Sequence, residues 1–186
     1  MGAVMVMLDG PRVRVRPLAE RDLEEVWRVS REGVDGFVPE PEASREAVRR
    51  RLRGSGRLVG GRLDLAIEAD GRLVGEIDAR RPADALPEDV FEIGIALYRR
   101  HDRRRGYGRE ALTLFLRHLF EDRGAARVQA STDTANAPMR GLLESLGFVL
   151  EGVMRGFMRD ARGERRDFAL YAMTRPDYDE ARTTWT

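Results

Sequence analysis

The sequence contains no cysteine. That excludes disulfides, thiolate metal sites and a cysteine nucleophile at once. Histidine is almost as scarce. Only His101 and His118 occur, too few and too far apart for a metal centre, so no metal is expected. No stretch approaches the roughly 20 apolar residues that span a bilayer. The opening segment Met1–Leu8 is apolar but short and lacks a basic start, so it does not read as a signal peptide. The chain is read as cytoplasmic, with no membrane partner. An excess of one charge is also missing. Lys and Arg number 33 against 32 Asp and Glu, for a formal net charge of +1. Bulk charge therefore gives no basic field to attract nucleic acid.

What is present is the composition of an ordered domain. The 186 residues are 42% apolar and 35% charged, enough for one hydrophobic core. Val13-Arg14-Val15-Arg16-Pro17-Leu18 alternates and reads as a strand ended by proline. Leu23, Val26 and Trp27 have helical spacing within Ala19–Val29. A second helix is expected over about Glu42–Leu52, after a loop punctuated by Pro39 and Pro41. Residues 54–61 hold four glycines and read as a flexible connection. Leu63–Ala69 and Arg72–Ala79 are apolar-rich runs around Asp70-Gly71, a hairpin signal.

Phe91–Leu97 is a strand with two unlike faces. Phe91, Ile93, Ile95 and Leu97 form one. Glu92, Gly94 and Ala96 form the other, where small residues allow a ligand or a backbone to come close. A basic run, Arg99–Arg105, leads into Gly106-Tyr107-Gly108 and then a helix with Leu112, Phe115, Leu116 and Leu119 on one side. Arg127–Ser131 is a short strand. Asn136 is a helix N-cap, Met139, Leu142, Leu143 and Leu146 repeat the helical spacing, and Gly147 closes that helix. Phe148–Met158 and Arg165–Met173 are the last strands, joined by a turn near Ala161–Glu164. Tyr178–Thr186 reads as a short tail. The order β-α-α-β-β-β-α-β-α-β-β is mixed and without repeats, so a doubly wound dinucleotide fold fits poorly.

The segment Arg103–Gly108 carries the chemistry. Gly106 and Gly108 permit close backbone approach. The first turn of the following helix leaves N–H groups free for phosphate oxygens, and the arginines add charged donors. A diphosphate cradle and a merely structural glycine turn both stand at this point. No Walker lysine with Ser or Thr follows, and no complete G-x-G-x-x-G occurs, so nucleotide hydrolase and Rossmann readings are weak.

These residues resemble the acyl-CoA motif of the GNAT acyltransferase superfamily: Arg or Gln, two residues, Gly, one residue, then Gly or Ala. Here it reads Arg103, Gly106 and Gly108. Asn136, Leu142 and Gly147-Phe148 match the family's next block. The element order is similar from about Arg12 to Thr174, and the chain looks most like the branch that acetylates ribosomal protein N-termini. The resemblance implies an α/β (α+β) fold, a single mixed, mostly antiparallel, twisted sheet flanked by helices. It implies an N-terminal extension over 1–11, an acyltransferase domain over 12–175 and a C-terminal tail over 176–186. It also implies an opening between the strands Phe91–Leu97 and Arg127–Ser131 that takes acetyl-CoA. The pantetheine arm would bond backbone groups at Ile95 and Leu97, and Arg103 would belong to the cofactor site. The diphosphate would sit on the amides of Arg104, Arg105, Gly106, Tyr107, Gly108 and Arg109, and Asn136 would face the arm or its thiol end.

The expected reaction is direct attack by an amine, with an Ile95 N–H stabilising the oxyanion and Glu92 as the leading candidate base. Glu92 pairing with an arginine is the competing reading. Met139 and Leu143 stand where relatives carry a serine or tyrosine proton donor. Tyr98 and Tyr171 remain as donors or packing residues, and His118 is read as helix surface. Trp27 and Phe37 are candidates to line the acceptor pocket, with core packing as the alternative, and Asp9, Asp22, Asp35 and Glu40 are scattered acids able to hold an amine. The partner is an amine, either a small molecule or a protein N-terminus, with a homodimer possible. Two other functions stay open: a non-catalytic acyl-CoA-binding or regulatory module on the same fold, and an RNA-associated protein using Arg99–Arg105.

Overall fold

A computed structural model of the chain describes residues 5–34, 42–81, 86–160 and 162–185. It joins β1 (Leu8–Asp9), β2 (Val13–Arg16), β3 (Arg62–Ala69), β4 (Arg72–Arg80), β5 (Val90–Leu97), β6 (Arg127–Asp133), β7 (Val149–Arg159) and β8 (Arg165–Thr174) in one mixed sheet. The spatial order is β1-β2-β3-β4-β5-β6-β8-β7. Every pairing is antiparallel except β5 with β6, which run parallel. The hairpin between β3 and β4 turns at Asp70 and Gly71 with φ of 51° and 72°, the doubly positive pattern its sequence signals.

Helices cover both faces. On one side α1 (Leu23–Glu32) and α2 (Arg45–Gly54) pack Leu23, Val26, Val48 and Leu52 over Ala66 of β3. On the other, α3 (Tyr107–Arg117) and α4 (Ala137–Ser145) deliver Leu112, Phe115, Leu116, Leu143 and Leu146 to the main core. Gly147 lies beyond α4 at φ 94°, where the Phe148 N–H bonds Leu143 O and the Gly147 N–H bonds Glu144 O. That is a left-handed helix stop closing the carbonyls α4 leaves open.

Three segments depart from the sequence reading. After α3 the chain makes a π turn, His118–Asp122, which rotates His118 inward. His118 is buried, not on the helix surface, with Nδ1 2.7 Å from Asp122 Oδ2 and Nε2 accepting from Arg123 Nε at 3.2 Å. Burial holds its imidazole below the usual histidine range. The segment read as a tail contains α5 (Arg175–Ala181), too short for a clear period. Its Tyr178 stacks on Phe120 at 4.4 Å, meets Trp185 edge-on at 5.5 Å, and lies in the core with it. At the other end, Val6 is buried and its N–H bonds Gly56 O, so this part of the stretch read as an extension also packs on the domain.

Candidate active site

The centre of the site is a break in the sheet. β5 pairs with β6 only at Val90, Phe91 and Glu92, opposite Arg127, Val128 and Gln129. Beyond Glu92 the strands part, while β5 stays bonded to β4 as far as Leu97. The direction of the free backbone groups follows from one bond. The Tyr98 N–H donates to Val74 O, toward β4. Hydrogen-bonded residues alternate along an antiparallel pair. Ala96, Gly94 and Glu92 therefore turn their backbone groups to β4, and Leu97 and Ile95, beyond the last step paired with β6, turn theirs into the opening. Arg103 confirms this direction by donating from Nη2 to Leu97 O at 3.0 Å. One acceptor expected to face the pantetheine arm is thus bonded within the chain, while Ile95 carries no such side-chain bond among the described residues.

The glycine loop closes one end of the opening. Gly106 caps α3 at φ 83°, and a Cβ there would lie 2.6 Å from Arg12 Nη1. The positive φ is what favours glycine here, since the Arg12 guanidinium is the movable end of a flexible side chain. Gly108 is different. A Cβ at that position would meet only Leu97 and Leu142, at 3.7 and 3.9 Å, and no positive φ is imposed. Among the described residues nothing demands glycine at 108, and its missing side chain leaves space beside the start of α3. The amides of Tyr107, Gly108 and Arg109 have no intrahelical acceptor, and no side chain caps the helix. Donors and space here fit a diphosphate.

The arginines around the loop divide. Arg104 is exposed, in a left-handed conformation with φ 58°. Arg105 lies over the Tyr107 ring, with Cζ 5.0 Å from its centre. Arg109 donates to Ser145 Oγ at 2.7 Å and so ties α3 to α4. The Tyr107 side chain is buried and its hydroxyl donates to Asp70 Oδ2 at 3.2 Å, so only its amide is available to a ligand. Asp102, fully buried, anchors the run through a bidentate pair with Arg72, whose hydrogen bonds hold it below the usual carboxylate range. Arg12 was not singled out in the sequence. It bonds Arg105 O at 3.0 Å and Glu110 Oε2 at 2.8 Å, bracing the loop against β2. Burial pushes the Glu110 carboxyl up, but the amides of Arg12 and Val13 and the Arg12 guanidinium outweigh it and hold it low.

Asn136 caps α4 as expected, its Oδ1 accepting from the Met139 N–H at 3.3 Å while Nδ2 donates to Thr132 Oγ1 at 3.2 Å. Of the candidate proton donors, Tyr171 is buried and donates to Glu144 Oε1 at 2.6 Å. Among the described residues the buried Tyr98 hydroxyl makes no hydrogen bond, and burial, with Glu76 beside it, pushes the phenol well above its usual range.

The face of β5 away from α3 is more charged than the sequence suggests. Glu92 accepts from Arg80 Nη2 at 3.1 Å, the arginine pairing weighed against its role as base. Gly94 faces Asp78 across the β4–β5 ladder, and a Cβ on it would lie 2.6 Å from Asp78 Oδ1. The small face thus makes room for the protein's own carboxylate, whereas the opening for a ligand lies at the strand's edge. Trp27 lies on α1, where its neighbour Glu25 accepts from Arg99 Nη2 at 3.3 Å just past the end of β5. It lines a cavity of about 680 Å³ whose walls come from α1 and Arg45, with Arg31 and Arg45 within 5.4 and 5.3 Å of its ring. Phe37, Asp35 and Glu40 lie outside the described residues. Among the described residues no group of three His, Asp or Glu could hold a metal, and no helix is long and apolar enough to cross a membrane.

Residues 12–149 match the family model of the acetyltransferase (GNAT) domain. The chain belongs to the GNAT acetyltransferase family. A candidate acetyltransferase from T. thermophilus is 30% identical, with a TM-score of 0.76 over 98% of this chain and 96% of that one. RimJ from Mycobacterium smegmatis, solved in complex with CoA-disulfide, is 23% identical, with a TM-score of 0.74 over 93% of this chain and 88% of that one. The ribosomal-protein-S5-alanine acetyltransferase of Vibrio fischeri is 18% identical, with a TM-score of 0.77 over 93% of this chain and 98% of that one. The last two share the GNAT fold with it. No curated protein matches the sequence.

Proposed function

We propose that this GNAT protein transfers an acetyl group from acetyl-CoA to a primary amine by direct attack. The observation that carries the reading is the parted strand pair, with the backbone of Ile95 turned into the gap and the glycine-capped start of α3 nearby. In this reading the amides of Tyr107, Gly108 and Arg109 hold the diphosphate, Arg104 and Arg105 add charge, and the pantetheine arm lies along β5. The Ile95 N–H binds the thioester carbonyl oxygen as it gains charge. The amine lone pair forms the new N–C bond, and the C–S pair leaves on sulfur. A thiol is acidic enough to leave as thiolate, which suits a site where Met139 and the buried Leu143 offer no proton. The acceptor is a protein N-terminus or a small amine, and the likeness to RimJ and to the S5-alanine enzyme supports testing peptides first. We propose an acyltransferase unit over residues 12–175, a cytoplasmic location and a possible homodimer.

The same apolar pair, Met139 and Leu143, favours a second reading, a module that binds acyl-CoA without turning it over. Thiol release from acetyl-CoA, followed with N-terminal peptides and small amines in parallel, separates the two. Turnover with any acceptor supports transfer. CoA binding without thiol release in any arm supports the binding module.

A further inference from the structure

We propose that Asp78, and not Glu92, takes the proton from the attacking amine. This assignment rests on the acetyl-transfer reading and adds the residue that reading lacks.

Strand register builds the geometry. On the face of the sheet away from α3, Arg62, Asp64 and Ala66 of β3 stand opposite Arg80, Asp78 and Glu76 of β4, which stand opposite Glu92, Gly94 and Ala96 of β5. Three strands thus bring four carboxylates onto one surface. Arg51 of α2 approaches from above, donating to Glu76 Oε1 at 2.9 Å and to Asp64 Oδ1 at 3.3 Å. Arg62 donates to both oxygens of Asp64, at 2.8 and 2.9 Å. Glu92 accepts from Arg80. Asp78 is the exception. Among the described residues it makes no hydrogen bond, its Oδ2 is buried, and its one cation contact is Arg80 Nε at 3.3 Å, which lacks hydrogen-bond alignment. The oxygen open to a donor from outside is Oδ1, which faces Gly94 and accepts no hydrogen bond from the described residues.

Position separates Asp78 from Glu92. Glu92 sits at the last paired step of β5 and β6, opposite Gln129, where the opening has not begun. Gly94 lies two residues further, roughly 7 Å along the strand, beside the part of β5 that has left β6. The Asp78 carboxylate lies across Gly94, whose chain neighbour Ile95 presents its amide to the opening. A base at that point reaches an amine poised over the thioester. Burial pushes the Asp78 carboxyl up to about 6, with Arg62 and Arg80 opposing and Asp64 and Glu76 assisting. A base near the working pH accepts a proton most effectively. Glu92, in turn, positions Arg80.

The proton balance is complete with the groups named. The amine enters neutral, its ammonium proton already lost to solvent; the nitrogen then sheds one proton to Asp78 as the N–C bond forms, the C–S bond breaks, and CoA departs as thiolate. Water then carries the proton from Asp78 to bulk solvent or to the thiolate.

The experiment compares Asp78→Asn, Glu92→Gln and wild type for acetyl-CoA turnover with the amine panel from pH 5 to 9, and measures CoA affinity by calorimetry. The expected result is a loss in kcat of about 100-fold in Asp78→Asn, with disappearance of the acid limb near pH 6 and CoA affinity within about twofold of wild type. Glu92→Gln is expected to lose less than about tenfold and to retain the limb. An Asp78→Asn protein within about threefold of wild type, limb intact, overturns the assignment and leaves acetyl transfer standing. A wild type that binds CoA but acetylates no amine overturns the transfer reading, and this assignment with it.

Discussion

The two faces of β5 are built on opposite principles. Toward α3, Phe91 and Ile93 are buried, and Ile95 and Leu97 pack against the same cluster as Leu112, Phe115 and Leu116. Non-directional contact holds that side, and its apolar area contributes stability in proportion to what it hides from water. Away from α3 the same strand meets Arg80 and Asp78, with Glu76 on the next step and Arg51 beyond. Charges on that side are partly withdrawn from solvent, and each needs a partner to offset its desolvation. In the proposed acetyl transfer, this GNAT domain therefore joins a face that stabilises to a face that reacts, back to back on one strand, with the ligand entering at the edge between them.

Truncation on the stabilising face is the strongest way to break the comparison. Phe115 is fully buried in the core that this face of β5 joins. Phe115→Ala is expected to lower unfolding free energy by about 3–5 kcal/mol, read as a fall in the urea midpoint at unchanged slope. A loss below about 1 kcal/mol would mean that this face does not carry the fold.

Gly94→Ala probes the reacting face with a single methyl group. Its Cβ would lie 2.6 Å from Asp78 Oδ1, at the free end of a side chain that can swing away. The fold should absorb the change at a cost below about 1 kcal/mol, while displacement of the carboxylate should slow acetyl transfer about tenfold, equivalent to about 1.4 kcal/mol of barrier. CoA affinity is expected to hold. If affinity falls in step with rate, Gly94 makes room for the cofactor, as the small-residue pattern alone suggests, and not for Asp78.

The stabilising face was legible in the sequence because its signals are local. Leu112, Phe115, Leu116 and Leu119 repeat within two turns, and all are buried. Gly106 before a helix and Gly147 after one mark turns by their own chemistry. The reacting face was not legible, because register decides it. Asp64, Glu76 and Asp78 each read as an ordinary outward strand position. Only the pairing of β3, β4 and β5 sets Asp78 against Gly94. Arg12 was missed for the same reason, since its bond to Arg105 O spans 93 residues. The role of Tyr178 was hidden by the shortness of α5, where seven residues show no clear period.

The smallest expected effect sharpens the comparison most, because it separates charge from packing at one atom pair. The Asp78 carboxyl is pushed up to about 6 from 3.8. Between those values the folded chain binds more protons than the unfolded chain, so stability falls as pH rises through that window and stays reduced above it. Asp78→Asn removes the titrating group. At pH 8 it is expected to unfold about 2–4 °C above wild type, corresponding to about 1 kcal/mol. That figure is below the full shift because the side chain is 22% exposed and Arg80 offsets part of the cost. Toward pH 4 the gap should close, since the wild-type carboxyl is then neutral as well. Glu76, also pushed up by burial, tilts both proteins' stability in the same direction, and its repulsion with Asp78 is removed together with the carboxylate, so it adds to the same closing gap. A gap of equal size at pH 4 and pH 8 would trace the gain to hydrogen bonding by the amide. Closure with pH would show a charge kept at some expense to stability, on the face where the reaction needs it.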